Sequence, residues 1–314
     1  MAPINTRQAA VVDPILSTHA RGYRNAEFIS PSLFPRAPVP NRAMRQLKFG
    51  KESFRLLNTK RAPGSNVKRI QYGYASDPIS LVQDALEGIV PIEHQQEAES
   101  VPGVDLGAGA VSMVLDALDL GLEYDCATMA RNPANYAASN KVTLTTTARW
   151  TQSASTPIDD IKAANEAIRR MTGRNGNTLI LGPNAKNALT KHASIKDQFK
   201  YTSAQSITLA MLAALLELEN VVCGKAVYLP ETAADSAAAT DVWGDDAILA
   251  YVPKGGNYQV PSYGYTYELD GFPQVETPYY SRETKSWIYS TTTERRPYIV
   301  GADAGFLFTN AGQS

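Results

Sequence analysis

Between Gly107 and Arg131, Ala108, Val111, Leu115, Leu118, Leu122, Cys126 and Met129 recur at spacings of three and four, with Asp116, Asp119, Glu123 and Asp125 between them. That period predicts an amphipathic helix of about 36 Å, stopped by Pro133. A second helix is predicted from Thr156-Pro157-Ile158-Asp159, with the threonine hydroxyl as cap, proline in the first turn and acids at the positive end of the dipole. Its buried stripe is Ile158, Ile161, Ala164, Ile168 and Met171, and Gly173 closes it. A strand at Thr178–Leu181, a helix near Asn184–His192, an apolar helix capped by Ser206 and running to Leu218, and a strand at Val221–Leu229 complete a mixed α/β segment. Past residue 240 the pattern turns to strands, at Ala247–Val252, Tyr263–Leu269, Trp287–Thr293 and Tyr298–Val300, after an Ala/Asp/Thr stretch from Glu231 to Asp241 that reads as an exposed loop.

The first 45 residues show no such period. Pro31, Pro35, Pro38 and Pro40 interrupt them, and apolar anchors such as Ile15, Phe28, Leu33 and Phe34 are scattered, so an extended arm is expected, with a reach of up to about 130 Å. From Arg45 to Tyr74, Leu47/Phe49 and Ile70/Tyr72/Tyr74 alternate with polar residues around the turn-like Lys60–Asn66, predicting a long hairpin that projects from its own domain.

Charge changes this picture more than composition does. The 314 residues sum to a formal charge of −1 with 44% hydrophobic residues, which fits a globular chain and neither a disordered tail nor a dedicated basic nucleic-acid binder. Residues 1–70, however, hold 13 Lys/Arg against Asp13, Glu27 and Glu52, a balance of +10. Residues 71–130 hold 11 acids and no Lys or Arg, and residues 131–314 balance at 17 against 17. Blocks of opposite sign pair within one chain or steer one copy onto the next. Sequence alone does not choose between these.

Chemistry is nearly absent. Neither GxxxxGK[ST], GxGxxG nor GxSxG occurs, and His19, His94 and His192 fall in three different segments without metal-ligand spacing. Asp159-Asp160 and Asp245-Asp246 fit a cap and a turn, since neighbouring helical side chains diverge by about 100°. Tyr258, Tyr263, Tyr265, Tyr267, Phe272, Tyr279 and Tyr280 form an aromatic cluster that strand packing explains better than base or sugar stacking. Cys126 and Cys223 show no CxxC spacing, consistent with reduced thiols in a cytosolic setting. The longest apolar run, Ile207–Leu218, is broken by Thr208 and Glu217 and is too short for a membrane span, and MAPINTRQ is no signal peptide. No catalytic residue, cofactor or metal site is expected.

The order of segments, with ALEGIVP at Ala85–Pro91, LDLGLEYDCATMARNPANY at Leu118–Tyr136, NTLILGPNAKNALTKHASIKDQFKY at Asn177–Tyr201, VVCGKAVY at Val221–Tyr228, WGDDAILAYVP at Trp243–Pro253 and PSYGYTYE at Pro261–Glu268, resembles the major capsid proteins of tailed double-stranded DNA bacteriophages, whose fold is shared with encapsulin shells. The likeness covers roughly residues 20–312. It implies an α+β fold with an N-terminal arm (1–45), an extended hairpin loop (46–76), a peripheral domain with a long spine helix (77–145 and 256–314) and an axial α/β domain (146–255).

The resemblance further implies a structural protein, not an enzyme, that assembles with itself into hexamers and pentamers of an icosahedral head around packaged DNA. Portal, scaffolding and decoration proteins, non-specific contact of DNA with the inner face, no membrane, and assembly in the host cytoplasm before residence in the virion would follow. No scaffolding segment precedes the arm here, which implies a separate scaffolding protein or prior removal. Lys51, Lys60 and Lys68 lie in the loop, yet no motif carries over the crosslinking chemistry of some relatives. The expected contacts between copies join Arg42, Arg45, Lys48, Arg61, Lys68 and Arg69 to acids such as Asp116, Asp119 and Glu123, and the container reading depends on the positive front quarter and the negative stretch being mates on separate molecules; both satisfied wholly within one chain would overturn it. The competing readings are an encapsulin-type compartment and an unrecognised α/β enzyme.

Overall fold

The computed structural model describes residues 12–22, 27–48, 60, 75–99, 105–199, 207–234, 236–255 and 259–313. The chain runs through α1 (Pro14–Gly22), α2 (Ser30–Leu33), β1 (Arg36–Val39), β2 (Ala43–Lys48), β3 (Ala75–Ser80), β4 (Val82–Pro91), α3 (Ile92–Glu99) and α4 (Leu106–Arg131). It continues as β5 (Lys141–Thr143), α5 (Pro157–Thr172), β6 (Thr178–Leu181), α6 (Pro183–Lys191), α7 (Ala193–Gln198), α8 (Leu209–Leu215), β7 (Asn220–Cys223), β8 (Val227–Tyr228), β9 (Thr240–Asp241) and β10 (Ala247–Ala250). It closes with β11 (Gly264–Leu269), β12 (Gln274–Val275), β13 (Tyr279–Ser281), β14 (Ser286–Ile299) and β15 (Gly305–Thr309).

Two sheets organise these elements. The five-stranded sheet has the order β5-β15-β10-β6-β7. Its strands β6 and β10 are buried on both faces, which is why they read as unbroken apolar runs. Leu179, Leu181, Leu249 and Phe308 face Ile161, Ala164 and Ile168 of α5 and Leu189 of α6, while Ile180, Ile248 and Leu307 face the other way, onto Leu122, Cys126 and Ala130 of α4. The six-stranded sheet is built around β14, which pairs antiparallel with β4, β11, β12 and β13, and β1 adds to β11 in parallel.

The spine helix α4 joins the two sheets. Asp105 caps it, accepting from Ala108 N at 3.0 Å. Its first half lays Ala110, Val111 and Leu115 against Val90 and Tyr289 of the six-stranded sheet, and its second half lies on the five-stranded sheet. Close approach is needed at Gly88 on β4, where a Cβ would stand 3.1 Å from the Cβ and carbonyl oxygen of Ala110. In α5 the expected stripe is buried at Ile161, Ala164 and Ile168, and Gly173 ends the helix at φ 69°, a left-handed position suited to glycine. The Thr156 hydroxyl makes no cap bond; its carbonyl accepts from Asp160 N instead.

Several expectations need correction. Within residues 12–48 the chain is not an extended arm. Leu33, Phe34, Ala37 and Val39 are fully buried, and β1 is an integral strand of the six-stranded sheet. The prolines leave β1 competent because its pairing with β11 is at an edge, where a missing donor is tolerated. The strands expected at Trp287–Thr293 and Tyr298–Val300 are one, β14, because Glu294 and Arg295 find partners and stay in the ladder. The strand expected at Val221–Leu229 is two short ones, and α8 starts at Leu209 on a Thr208 cap; Ser206 lies outside the described residues. Of the long hairpin, β2 and β3 form an antiparallel two-stranded stem with Lys48 opposite Ala75; its tip lies outside the described residues.

Candidate assembly surface

The acids expected to meet neighbouring copies are used inside the chain. Asp119 is 8% exposed and sits between two guanidinium groups, Arg295 at 2.5 Å and Arg36 at 3.5 Å, with Arg36 also 3.8 Å from Glu268. Glu123 is fully buried; one of its oxygens accepts from Ile29 N at 3.0 Å and Trp243 Nε1 at 2.6 Å, and the other accepts from Ser30 N at 2.8 Å. A buried carboxylate is tolerated only when its lone pairs are taken up, and here the N-terminal segment does so. Arg42 is likewise engaged, donating through Nε and Nη2 to the two oxygens of Glu294 at 2.7 Å each, which pushes its pKa up through the hydrogen bond and the charge. The expected contacts of Asp119 and Glu123 with other copies are therefore corrected, and charge patterning loses these two acids as an argument for a shell, while Arg42, paired with Glu294, keeps a side chain that is 69% exposed.

The remaining sites are dispersed. Arg45 is exposed on β2, Lys48 ends that strand, and Asp116 is half-buried on α4. Arg61, Lys68 and Arg69 lie outside the described residues. Sequence reasoning missed Glu294, Arg295 and Trp243, though the spacing 115, 119, 122, 126 already puts Asp119 on the buried face of α4.

Nucleophilic geometry is incomplete among the described residues. Ser155 Oγ is 3.2 Å from His192 Nε2, but His192 Nδ1 faces the Ser194 hydroxyl at 2.7 Å and no carboxylate orients the ring. Burial raises the Cys126 thiol far above its usual range, with Glu123 adding to the effect, so its thiolate is suppressed. No group of three His, Cys, Asp or Glu among the described residues is placed to hold a metal ion, and no described helix is long and apolar enough to cross a membrane. Tyr263, Tyr265 and Tyr267 are core residues, while Tyr279 and Tyr280 are exposed.

What the surface offers is contact area. Leu86 and Ile89 on β4 are 45% and 54% exposed, Met113 on α4 64%, Val227 48% and Leu229 42%, and Tyr124, 40% exposed, stands edge-on to Tyr228. Large apolar side chains left exposed are area that contact with another copy would cover.

Comparison with known proteins decides which assembly. Residues 135–294 match the family described as phage major capsid protein E. The major capsid protein of Burkholderia phage BcepMu is 37% identical over 95% of this chain and 96% of that protein. The chain belongs to the phage major capsid protein E family. A crystal structure of a phage-related protein from Bordetella bronchiseptica RB50 is 45% identical, covers 98% of this chain and 100% of that one, and superposes with a TM-score of 0.85. The SrpI encapsulin of Synechococcus elongatus PCC 7942 covers 92% of this chain and 89% of its own at 12% identity and a TM-score of 0.56, a likeness of fold alone. As a member of the capsid family the protein is structural: copies of it build the phage virion shell, and the expected α+β fold shared by phage capsids and encapsulins holds.

Proposed function

We propose that the protein closes into an icosahedral head through hexamers and pentamers, assembled in the host cytoplasm around a scaffolding protein, fitted with portal and decoration proteins and filled with double-stranded DNA. Its mechanism is contact geometry without catalysis: each copy offers unlike patches that complete a ring, and modest interfaces repeat many times. The observation that carries this reading is the 37% identity to a phage major capsid protein along nearly the whole chain. In support stand the exposed apolar groups of β4 and α4. The division into projecting loop (46–76), peripheral and axial parts is proposed with it, with Arg45, Lys48, Arg61, Lys68 and Arg69 working between copies and some basic residues touching DNA phosphates.

Electron microscopy of the purified, concentrated protein tests this. Rings, sheets or shells are expected; discrete monomers under every condition of salt, pH and concentration would overturn it.

A further inference from the structure

One end of the five-stranded sheet carries a pocket on one face and a projecting loop on the other. β5, β15, β6 and β7 run in one direction and β10 in the other, so the residues that follow β5, β6 and β15 gather at the same end as the connection from β7 to β10. On the α5 and α6 side those residues enclose a pocket of about 400 Å3, lined among others by Thr151, Ser153, Asn187, Lys191, His192 and Gly312. Its floor is fixed: the buried His192 ring meets Ser194 through Nδ1 at 2.7 Å and Ser155 through Nε2 at 3.2 Å, and Trp150 packs on Phe308. No Asp or Glu lines it, and Lys191, exposed at its rim, forms no ion pair among the described residues.

On the α4 side, the pair β8 and β9 raises residues 229–239 as a loop. Its stem is held against α4 by Tyr228, whose ring stands edge-on to Tyr124 with centres 4.7 Å apart. Two tight turns shape it, Ala233 N donating to Pro230 O at 2.9 Å and Ala237 N to Ala234 O at 2.8 Å, and none of its described residues is buried. The sequence there, LPETAADSAAA, offers small side chains, the acids Glu231 and Asp235, and no Lys or Arg. Loop and pocket are thus matched in charge and in size. The sheet stands between them, with α4 packed on one face and α5 and α6 on the other, so a copy does not fill its own pocket.

We propose that residues 229–239 of one copy seat in the pocket beside α6 of the next copy around a ring, with Glu231 meeting Lys191 and the Asn187 amide while the alanines occupy the space over His192. This rests on the ring and shell reading and gives it a direction. The two features lie at one end of the sheet but on opposite faces, so the contact joins unlike patches and passes from copy to copy in one sense, which closes a ring rather than a two-fold pair. Alanines lose no side-chain freedom on seating, so the loop enters at little entropic cost. The charges set register more than affinity: each exposed pair contributes little, weakens as salt is raised, and acts mainly by opposing a like-charged partner.

The test uses the full chain, with the yield of rings and shells read by sedimentation velocity and negative-stain microscopy. Lys191→Glu with Asn187→Asp, and separately Glu231→Lys with Asp235→Lys, should each cut that yield about tenfold or more, and combining the two sets should restore most of it. A benzophenone amino acid at Ala238 in otherwise unchanged protein should crosslink to residues 150–153 or 184–193 of another chain. Wild-type yield from the pocket variant, or crosslinks confined to other segments, overturns the seat while leaving the shell standing; the crosslink decides if a variant does not fold. No rings or shells from the wild-type chain under any condition would instead remove the shell reading, and the seat with it.

Discussion

In the five-stranded sheet, β6 and β10 send Leu179, Ile180, Leu181, Ile248 and Leu249 into apolar layers on either side, all at most 1% exposed. In the six-stranded sheet, β14 carries Thr291, Thr293, Glu294 and Arg295 at 5% exposure or less. Equal burial thus covers opposite chemistry. The first sheet is stabilised by its own apolar contacts with α4, α5 and α6. The second is complete only when distant segments arrive: Arg42 for Glu294, Asp119 of α4 for Arg295, and Arg36 from β1 for Asp119. The N-terminal segment, expected as a free arm, is therefore part of what makes the six-stranded sheet viable in one subunit. Fixing β1 and β2 in this way also sets where the loop stem leaves the molecule.

The widest separation between the sheets should come from removing a charge at their junction. Asp119→Ala leaves Arg295 and Arg36 without their shared counter-ion, and the expected loss is about 3–5 kcal/mol, measured by urea unfolding of unassembled subunits. A loss below about 1 kcal/mol would mean that water already reaches the cluster and that the six-stranded sheet does not depend on it. In the other sheet the matching change is Leu249→Ala, which opens a cavity between β10 and α5 and should cost about 3 kcal/mol in the same assay. The two differ in salt response: the Asp119 effect should shrink at high salt only as far as the cluster is wetted, and the Leu249 effect should not shrink at all.

The contrast also explains what could be read beforehand. α5 and β6 are legible because each declares itself locally, the first by the Ile161, Ala164, Ile168 period and Gly173, the second by an unbroken apolar run. The extent of α4 was equally plain. The fate of its acids was not, since a carboxylate on the buried face makes sense only when Ile29, Ser30, Arg36 and Trp243 are brought to it from segments far away in sequence. β14 was split for the same reason: Glu294-Arg295-Arg296 look like a solvated break until Arg42 and Asp119 are seen beside them. Local pattern predicts apolar layers; paired charges across long sequence distance escape it.

The finest test concerns a single hydroxyl. Thr291 is fully buried on β14, and its Oγ1 has no hydrogen-bond partner among the described residues. Its cross-strand neighbours are Leu86 on β4 and Val275 on β12, so the hydroxyl faces apolar groups on both sides. If the polar character of β14 matters only where a partner answers it, then Thr291→Val, which keeps the β-branched shape and removes an unanswered donor, should leave stability unchanged or raise it by up to about 1 kcal/mol. The same assay that reads Asp119→Ala can resolve this as a rise in the urea midpoint at constant slope. A loss of about 1 kcal/mol or more would show that the hydroxyl is satisfied by an internal water, which would make β14 polar along its length by design rather than at the charge cluster alone.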